Sequence, residues 1–587
     1  MTTVRAPGVY YEPSEQRIPQ LSLGRTGMPV FLGVTRRGPL DRPVRITSLN
    51  HFEEIFGEPI TDGYLIPSLT GFFDNGGDEC YVLRIAREKG RPGEDVALTS
   101  EMVALDGAGS EVLHIEAQDP GSWGNHLRIT LAPTPDPLRT FLTRDGAAGD
   151  ATLQVKTTHA MQVGTLVEIT DGESAHWAQV KDISGKMLTL SEALPKAYKS
   201  AAPTYVIPHT FDLHVAGAYG EGAESYTQLS LHGASLRFAE RLINKQSRLI
   251  KIQVIRNGSP LSHSLPVPVA HQPLEGGQDG VADLGPDDFI GYDRGPQARR
   301  GLWTLVEHPQ IDLVAIPDLM SAYERSDRFK TLRDVDAVQE AAITLCENSL
   351  NRFAILDLPP GGDYEEALRW RRQFDSPHAA FYYPWVVVLE GGRRRAVPPS
   401  GHVAGIFSRC DRNIGIHKAP ANEIIEGVVD LDVLLQDAHL ALLNEAGVNC
   451  LRAFASRGLR VWGARTASSE AEWRYISVRR TMSAIHAAID QGCQWAVFEP
   501  NGPSLWKRLT RLITGFLMDL RSRGILAGEQ PEEAFYVRCD NETNPPDAID
   551  NGMLITEIGL AITRPVEFII FRLAQRLEDE AQQLEES

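Results

Sequence analysis

Three residues capable of nucleophilic chemistry stand close together: His402, Cys410 and His417, within PPSGHVAGIFSRCDRNIGIHKAPAN (398–422). A thiol beside an imidazole works as a nucleophile–base pair when a third group orients the base. The sequence places no such carboxylate, and the segment reads as a strand or turn leading into a loop. It is read as a packed cysteine with two surface histidines. Other chemistries fail on spacing. SGKM (184–187) lacks the leading glycine and the hydroxyl of a phosphate-binding loop and reads as a hairpin turn. DGAGSE (106–111) starts like a dinucleotide fingerprint but has Val112 where the last glycine belongs. No HExxH, CxxC or GxSxG occurs, and the cysteines lie too far apart to share a metal. Glu365 and Glu366 read as the solvated face of a helix, and Arg393–Arg395 as an exposed loop open to an acidic partner. The expectation is a protein with no catalytic, cofactor-binding or metal site.

One charged pattern remains. The segment 504–523 is strongly amphipathic, with Leu505, Leu509, Leu512, Phe516 and Leu520 along one face. Lys507, Arg511 and Arg521 fall on the opposite face, with Arg508 and Arg523 nearby and Asp519 the sole acid. This cluster stands out in a chain whose formal charge is −19.

The elements that would position these groups change character along the chain. MTTVRAPGVYYEPSEQRIPQ is punctuated by Pro7, Pro13 and Pro19 and looks like an extended arm in which Val9, Tyr10 and Tyr11 have β character but no partner nearby; it reads equally as a disordered tail or as a strand that pairs with another subunit. MPVFLGVTRRGP reads as a buried strand, ITSLNHFEEIFG as a turn and helix capped by Ser48, and Cys80–Ala86 as a strand. Beyond a charged, glycine-containing boundary at 87–102 the sequence is β-rich. Short alternating strands between 140 and 208 suggest a small barrel or sandwich inserted into another β-domain, whose pattern resumes at FDLHVAG (211–217). From 301 the pattern is α/β. IDLVAIPDL, RFAILDLPP and WVVVLE read as buried strands, Leu431–Ala446 as a helix, and Ser469 with Glu472 as the capping box of the next helix. WAVFEP (495–500) reads as a strand. The chain closes with β segments MLITEIGLAIT and VEFIIFRLA and the acidic stretch LEDEAQQLEES.

Length and composition set the outer bounds. At about 150 residues per domain, 587 residues correspond to roughly four domains. Six scattered cysteines fit a reducing cytoplasm rather than a disulfide framework. No apolar run is long enough to span a membrane, the N-terminus lacks the apolar centre of a signal peptide, and the acidic balance argues against a nucleic-acid binder.

Blocks at both ends of the chain resemble the tail sheath proteins of contractile phage tails, R-type bacteriocins and extracellular contractile injection systems. They are PGVYYEP (7–13), PVFLGVTRRGPLDRPVRITSLNHFEEIFG (29–57), GYLIPSLTGFFDNGGDECYVLRI (63–85) and DPGSWGN (119–125). At the other end they are the segment 398–422, GVNCLRAFASRGLRVWGART (447–466), EWRYISVRR (472–480), QWAVFEPNGPSLWKRL (494–509) and 532–573. The insertion at 140–208 lies outside the resemblance.

The resemblance implies a multidomain α/β and α+β fold: an inner α/β core with N- and C-terminal strand-exchange arms and outer β-rich domains. The expected division is an arm at 1–22, core at 23–90, outer domain at 91–300, α/β domain at 301–450, C-terminal core at 451–550 and C-terminal arm and tail at 551–587. It further implies hexameric rings stacked around an inner tube, with baseplate and tail cap or terminator proteins as partners, and contraction from a metastable extended state. Assembly would take place in the bacterial cytoplasm, and the particle would be released or retained. Neither nucleic acid nor membrane insertion is expected. A phage or prophage tail sheath, and a non-contractile cap or terminator, are the alternatives. Strand exchange between subunits would use Val9, Tyr10 and Tyr11 with Leu554, Ile555, Ile558, Phe568, Ile569, Ile570 and Phe571. Lys507, Arg508, Arg511 and Arg521 would seat the subunit on the tube.

Overall fold

The computed structural model describes residues 21–567, except 61, 89–94, 136–137, 160, 203, 218–221, 256–257 and 297. Val9, Tyr10, Tyr11 and Phe568–Phe571 lie outside the described residues.

The fold is a mixed α/β multidomain architecture built around an eight-stranded sheet. Its order is Val44–Ile46, Cys80–Arg84, Pro29–Gly33, Leu313–Ala315, Phe353–Asp357, Ala379–Tyr383, Val448–Phe454, Gly458–Val461. The six inner strands are parallel and an antiparallel strand closes each edge. Pro29–Gly33, Phe353–Asp357 and Ala379–Tyr383 are buried at every position, as continuous apolar runs covered on both faces must be. Ser48 caps helix Leu49–Phe56 by accepting from the His51 N–H.

The register Pro29↔Leu313 joins strands almost three hundred residues apart, so the β-rich segment between them is an excursion from the sheet. That segment forms a four-stranded and a three-stranded sheet around Leu113, Ile115, Leu127, Phe211 and Leu213. A six-stranded module with its own core, including Val155, Val167, Ile169 and Val206, hangs from it. The module's two ends leave adjacent strands, where Phe211 pairs with Pro133 and the Thr134 N–H donates to the Thr210 carbonyl at 3.0 Å.

Several elements differ from the sequence reading. Ser400–Asn413 is a buried helix, not a strand or turn, and it packs on helix Leu65–Asp74. The contact is glycine-dependent: a Cβ on Gly401 would stand 2.4 Å from the Ser68 Cα, and one on Gly405 2.4 Å from the Phe72 carbonyl oxygen. Those glycines let the helices approach. The fourth strand of the parallel series from Pro29 is Ala379–Tyr383, whereas Val386–Glu390 belongs to a separate three-stranded sheet with Arg393–Val397 and Asp430–Leu431. Arg393–Arg395 is therefore strand, turned on Gly391-Gly392.

The helix expected at 431–446 begins at Asp437 and buries Leu440 and Leu443, leaving Leu442 exposed. Ser469 caps no helix. Its hydroxyl donates to Asp375 at 2.6 Å, and the following helix starts at Ile476. WAVFEP forms no strand; Trp495 and Ala496 lie in a single 3-10 turn, and Phe498 projects fully into solvent at φ 67°.

Candidate assembly interface

Of the nucleophile candidates, His402 and Cys410 are sequestered rather than assembled, and His417 is half-buried. His402 and Cys410 lie eight residues apart on one helix, about 12 Å along its axis. Burial lowers the His402 imidazole to about 4 and raises the Cys410 thiol to about 11, the neutral forms of both. The His402 ring fills the space that a Cβ on Gly71 would need. His402 is thus a core residue, not a surface one.

The carboxyl ends of parallel strands are where α/β enzymes place their chemistry. Here they hold Asp318 and Asp357, both fully buried and both occupied structurally. Asp318 accepts the N–H groups of Val34, Tyr64 and Leu65 at 2.7, 2.5 and 3.1 Å, joining the first strand to helix Leu65–Asp74. Asp357 accepts the Ser400 N–H at 2.9 Å, and burial raises it to about 7. On the outer sheet Glu101, His114 and Glu116 have ligand atoms close enough to hold a metal ion. Glu101 and Glu116 sit opposite each other across two strands, a repulsive pairing. His114 Nε2 at 2.8 Å from Glu101 and Lys251 at 3.5 Å from Glu116 offset it, so the trio reads as a cross-strand charge ladder.

The surface with unmatched chemistry is C-terminal. Helix Pro503–Ser522 buries Leu505, Trp506, Leu509, Leu512, Ile513, Phe516, Leu517 and Leu520 against helix Ile476–Cys493 and its surroundings. Its basic residues separate into two groups. Lys507 and Arg511 are exposed and have no ion-pair partner among the described residues. Arg508 lies 3.3 Å from Glu499 with its guanidinium over the Trp495 ring, and Arg523 pairs with Asp519 at 3.6 Å. Arg521 turns back to the carbonyls of Gly528 and Glu529. The exposed stripe continues from Lys507 and Arg511 through Gly515 to Met518, at helical spacing. Gly515 was missed by the sequence reading; its signal was a glycine on the polar face of an otherwise strong helix. A Cβ there would meet nothing within 4 Å, so no contact among the described residues requires glycine.

Beside this helix, Phe535–Arg538 pairs antiparallel with Glu557–Leu560 from Phe535↔Leu560 to Arg538↔Glu557. Each strand has a single partner among the described residues, leaving both outer edges unpaired. Ile558 lies in this ribbon. Leu554 and Ile555 precede it, and Ile555 is held by Asn544, which accepts its N–H at 2.7 Å and donates to its carbonyl at 3.0 Å. Segments near both ends of the described residues come to this unit. Leu21 and Leu23 pack on the helix pair, and Ile562 bridges to Leu526. Further on, Glu567 is clasped by Arg465 at 2.9 and 2.6 Å.

Residues 331–467 match the family model described as the phage tail sheath protein central domain, and 468–576 match the phage tail sheath C-terminal domain. Residues 331–576 thus carry the two domains of the phage tail sheath family. Tail sheath proteins are structural, not enzymes, in agreement with the sequestered histidine, cysteine and aspartates. Among curated relatives, a protein of Pseudomonas aeruginosa (strain UCBPP-PA14) named as a prophage major tail sheath protein is 28% identical over 248 residues, covering 40% of this chain and 62% of its own. The tail sheath protein of Escherichia phage P2 is 24% identical, covering 42% of this chain and 61% of its own. The matched region thus spans less than two thirds of these relatives.

In fold, the chain is similar to the contracted helical sheath of the anti-feeding prophage, with TM-score 0.53, 21% identity and coverage of 98% of this chain and 100% of the other. It is also similar to a sheath tail protein of Listeria innocua, with TM-score 0.51, 12% identity and coverage of 92% and 96%. No helix among the described residues is long and apolar enough to cross a membrane.

Proposed function

We propose that this sheath protein polymerises as stacked hexameric rings around an inner tube and contracts from a metastable extended lattice to drive that tube through a target envelope. The particle is a phage-tail-like injection system, assembled in the cytoplasm, with baseplate and terminator proteins at its ends. The observation that carries this reading is the Phe535–Arg538/Glu557–Leu560 ribbon. Two strands with open edges are a marginal structure alone. Leu21, Leu23 and Ile562 pack in the same unit, which supports a neighbouring copy adding strands here. Val9–Tyr11 and Phe568–Phe571 are the segments assigned to that exchange, with Ile558 in the receiving ribbon and Leu554 and Ile555 leading into it. Head-to-tail addition need not close, so it produces a tube. The domain division given by the sequence is retained: arm 1–22, core 23–90, outer domain 91–300 with its insertion at 140–208, α/β domain 301–450, C-terminal core 451–550, and arm and tail 551–587.

In this reading Lys507 and Arg511 form the seat on an acidic inner tube, with Arg508 and Arg521 as secondary cations already engaged within the chain. Exposed charge contacts are individually weak, which suits a surface that must let go during contraction. Charge reversal at both positions, K507E with R511E, is expected to abolish assembly on the tube while leaving the subunit folded. Circular dichroism and electron microscopy read the two outcomes, and normal striated tubes from the double variant would exclude the seat.

A further inference from the structure

We propose that Phe498 is an apolar knob that docks into a groove on a second copy of this chain, lined by Ile414, Leu440, Trp462, Ala464, Pro565 and Val566. The inference rests on the polymerisation reading and adds to it a contact separate from strand exchange and from the tube seat.

The knob is held rigidly. Phe498 is fully exposed at φ 67°, a left-handed backbone that disfavours a bulky side chain. Val497 beside it is exposed as well. Their loop is braced at several points. The Val497 N–H donates to the Gln494 carbonyl at 3.2 Å, and the Glu499 N–H to the Ala496 carbonyl at 3.1 Å. Glu499 pairs with Arg508 at 3.3 Å, and that guanidinium lies over the Trp495 ring. The Asn501 amide donates to the Met553 carbonyl and accepts from the Trp506 indole, both at 2.8 Å. A strained backbone persists where its surroundings impose it, and here the result is a phenyl ring presented to solvent on a fixed stalk.

The groove has the reciprocal character. It encloses about 810 Å³ between the end of helix Ser400–Asn413, helix Asp437–Glu445, the residues after strand Gly458–Val461 and residues 564–567. Ile414, Trp462 and Val566 are exposed at 57, 37 and 78%, so the single subunit leaves apolar surface at both features. The clasp of Arg465 on Glu567 fixes the C-terminal wall. Charge is complementary too. Glu499 follows the knob, while Lys418 and Arg564 line the groove, and Arg564 is exposed with no ion pair among the described residues.

The occupant is a second copy because the braces hold Phe498 on the helix pair and no wall of the groove comes from 494–501. A knob and a groove at different places on one chain meet head to tail, and each added copy offers a new knob and a new groove. Such a contact extends an open array instead of closing a dimer. An aromatic ring seated in an apolar pocket concentrates the binding energy of an interface.

The test uses the full chain assembled into tubes with the inner tube protein present. p-Benzoylphenylalanine placed at position 498 is irradiated in tubes made from an equal mixture of isotopically labelled and unlabelled chains. The expected links run from position 498 to 414–422, 440–444 or 462–464 of a differently labelled chain. Phe498→Asp should keep its fold by circular dichroism and raise the subunit concentration needed for tube formation about thirtyfold, the size of one interface hot spot. Ile414→Asp, at the exposed edge of the groove, should behave in the same way, and Phe498→Leu should assemble like the parent. Links to the inner tube, to another face of the subunit or within one chain would each overturn the proposal, as would parental assembly by Phe498→Asp. A parent chain that forms no tubes would instead defeat the polymerisation reading itself.

Discussion

Gly515 is the position where subunit stability and assembly make opposite demands. It lies in the interior of helix Pro503–Ser522, and an added Cβ would meet no heavy atom within 4 Å. Glycine at such a site costs about 0.5–1 kcal/mol relative to alanine, through backbone entropy that nothing in the chain recovers. G515A is therefore expected to stabilise the isolated helix by that amount. In a multidomain chain a global unfolding free energy is poorly defined, so the measurement is local. Hydrogen exchange of the 503–522 amides should slow by about 2–5-fold, the factor corresponding to 0.5–1 kcal/mol. Under the proposed tube seat over Lys507, Arg511, Gly515 and Met518, the same position should oppose bulk in the polymer. G515W has room in the free subunit, and should keep its fold but fail to form tubes in negative-stain microscopy. G515W assembling like the parent would show that this face looks onto open solvent in the particle, and the interface argument would fall. Faster exchange in G515A would refute the stability half.

Three further outcomes follow from the interior. A Cβ at Gly401 would lie 2.4 Å from the Ser68 Cα, a backbone atom that cannot swing aside, so G401A should lower stability by about 1–3 kcal/mol, read as a lower urea midpoint for the α/β core. Arg480 is buried and bonds Asp411 at 2.9 and 2.6 Å and Asp312 at 3.0 Å, tying helix Ile476–Cys493 to the sheet. R480M should cost about 3–5 kcal/mol by stranding two carboxylates, and R480M with D312N and D411N should recover much of it in the same denaturation assay. For Asp357, raised from 3.8 to about 7 by burial, the folded state holds a proton that the unfolded state lacks between those pH values. Its contribution to stability is thus present at low pH and lost as pH rises through about 7, by about 1.4 kcal/mol per unit. D357N should remove that slope. It would leave visible the opposite loss from His402, lowered to about 4, as pH falls below 6.5. Denaturation midpoints from pH 4 to 8 report both, and identical profiles for the parent and D357N would refute the assignment.

How much was legible depended on whether one element's own pattern carried the signal. IDLVAIPDL and RFAILDLPP each contain an unbroken apolar stretch, Leu313–Ile316 and Phe353–Leu356, so their place in a sheet covered on both faces could be read directly. The helix around Leu505–Leu520 repeated its apolar residues at helical spacing, and the observed buried face contains every one of them. Ser400–Asn413 was hidden because its glycines serve a second helix. Gly401 and Gly405, four apart, mark one face, but the contact they permit is with Ser68 and Phe72, more than three hundred positions away. Ala379–Tyr383 and Val386–Glu390 are both apolar and flank Pro384, so local pattern could not say which would join the parallel sheet.

The sequence by itself determined the absence of a recognisable catalytic motif, the resemblance to tail sheath proteins, the inserted β module at 140–208, and the basic face of one helix. Each is a property of residue types and spacing along a single segment. The tertiary structure decided which charges are spent and which are free. Arg508, Arg521 and Arg523 find partners in Glu499, two carbonyls and Asp519, while Lys507 and Arg511 find none among the described residues. It also decided that His402 and Cys410 are inert and that Gly515 has no internal reason to be glycine. Those outcomes depend on what distant segments bring to each side chain, and one-dimensional periodicity carries no record of a neighbour in space.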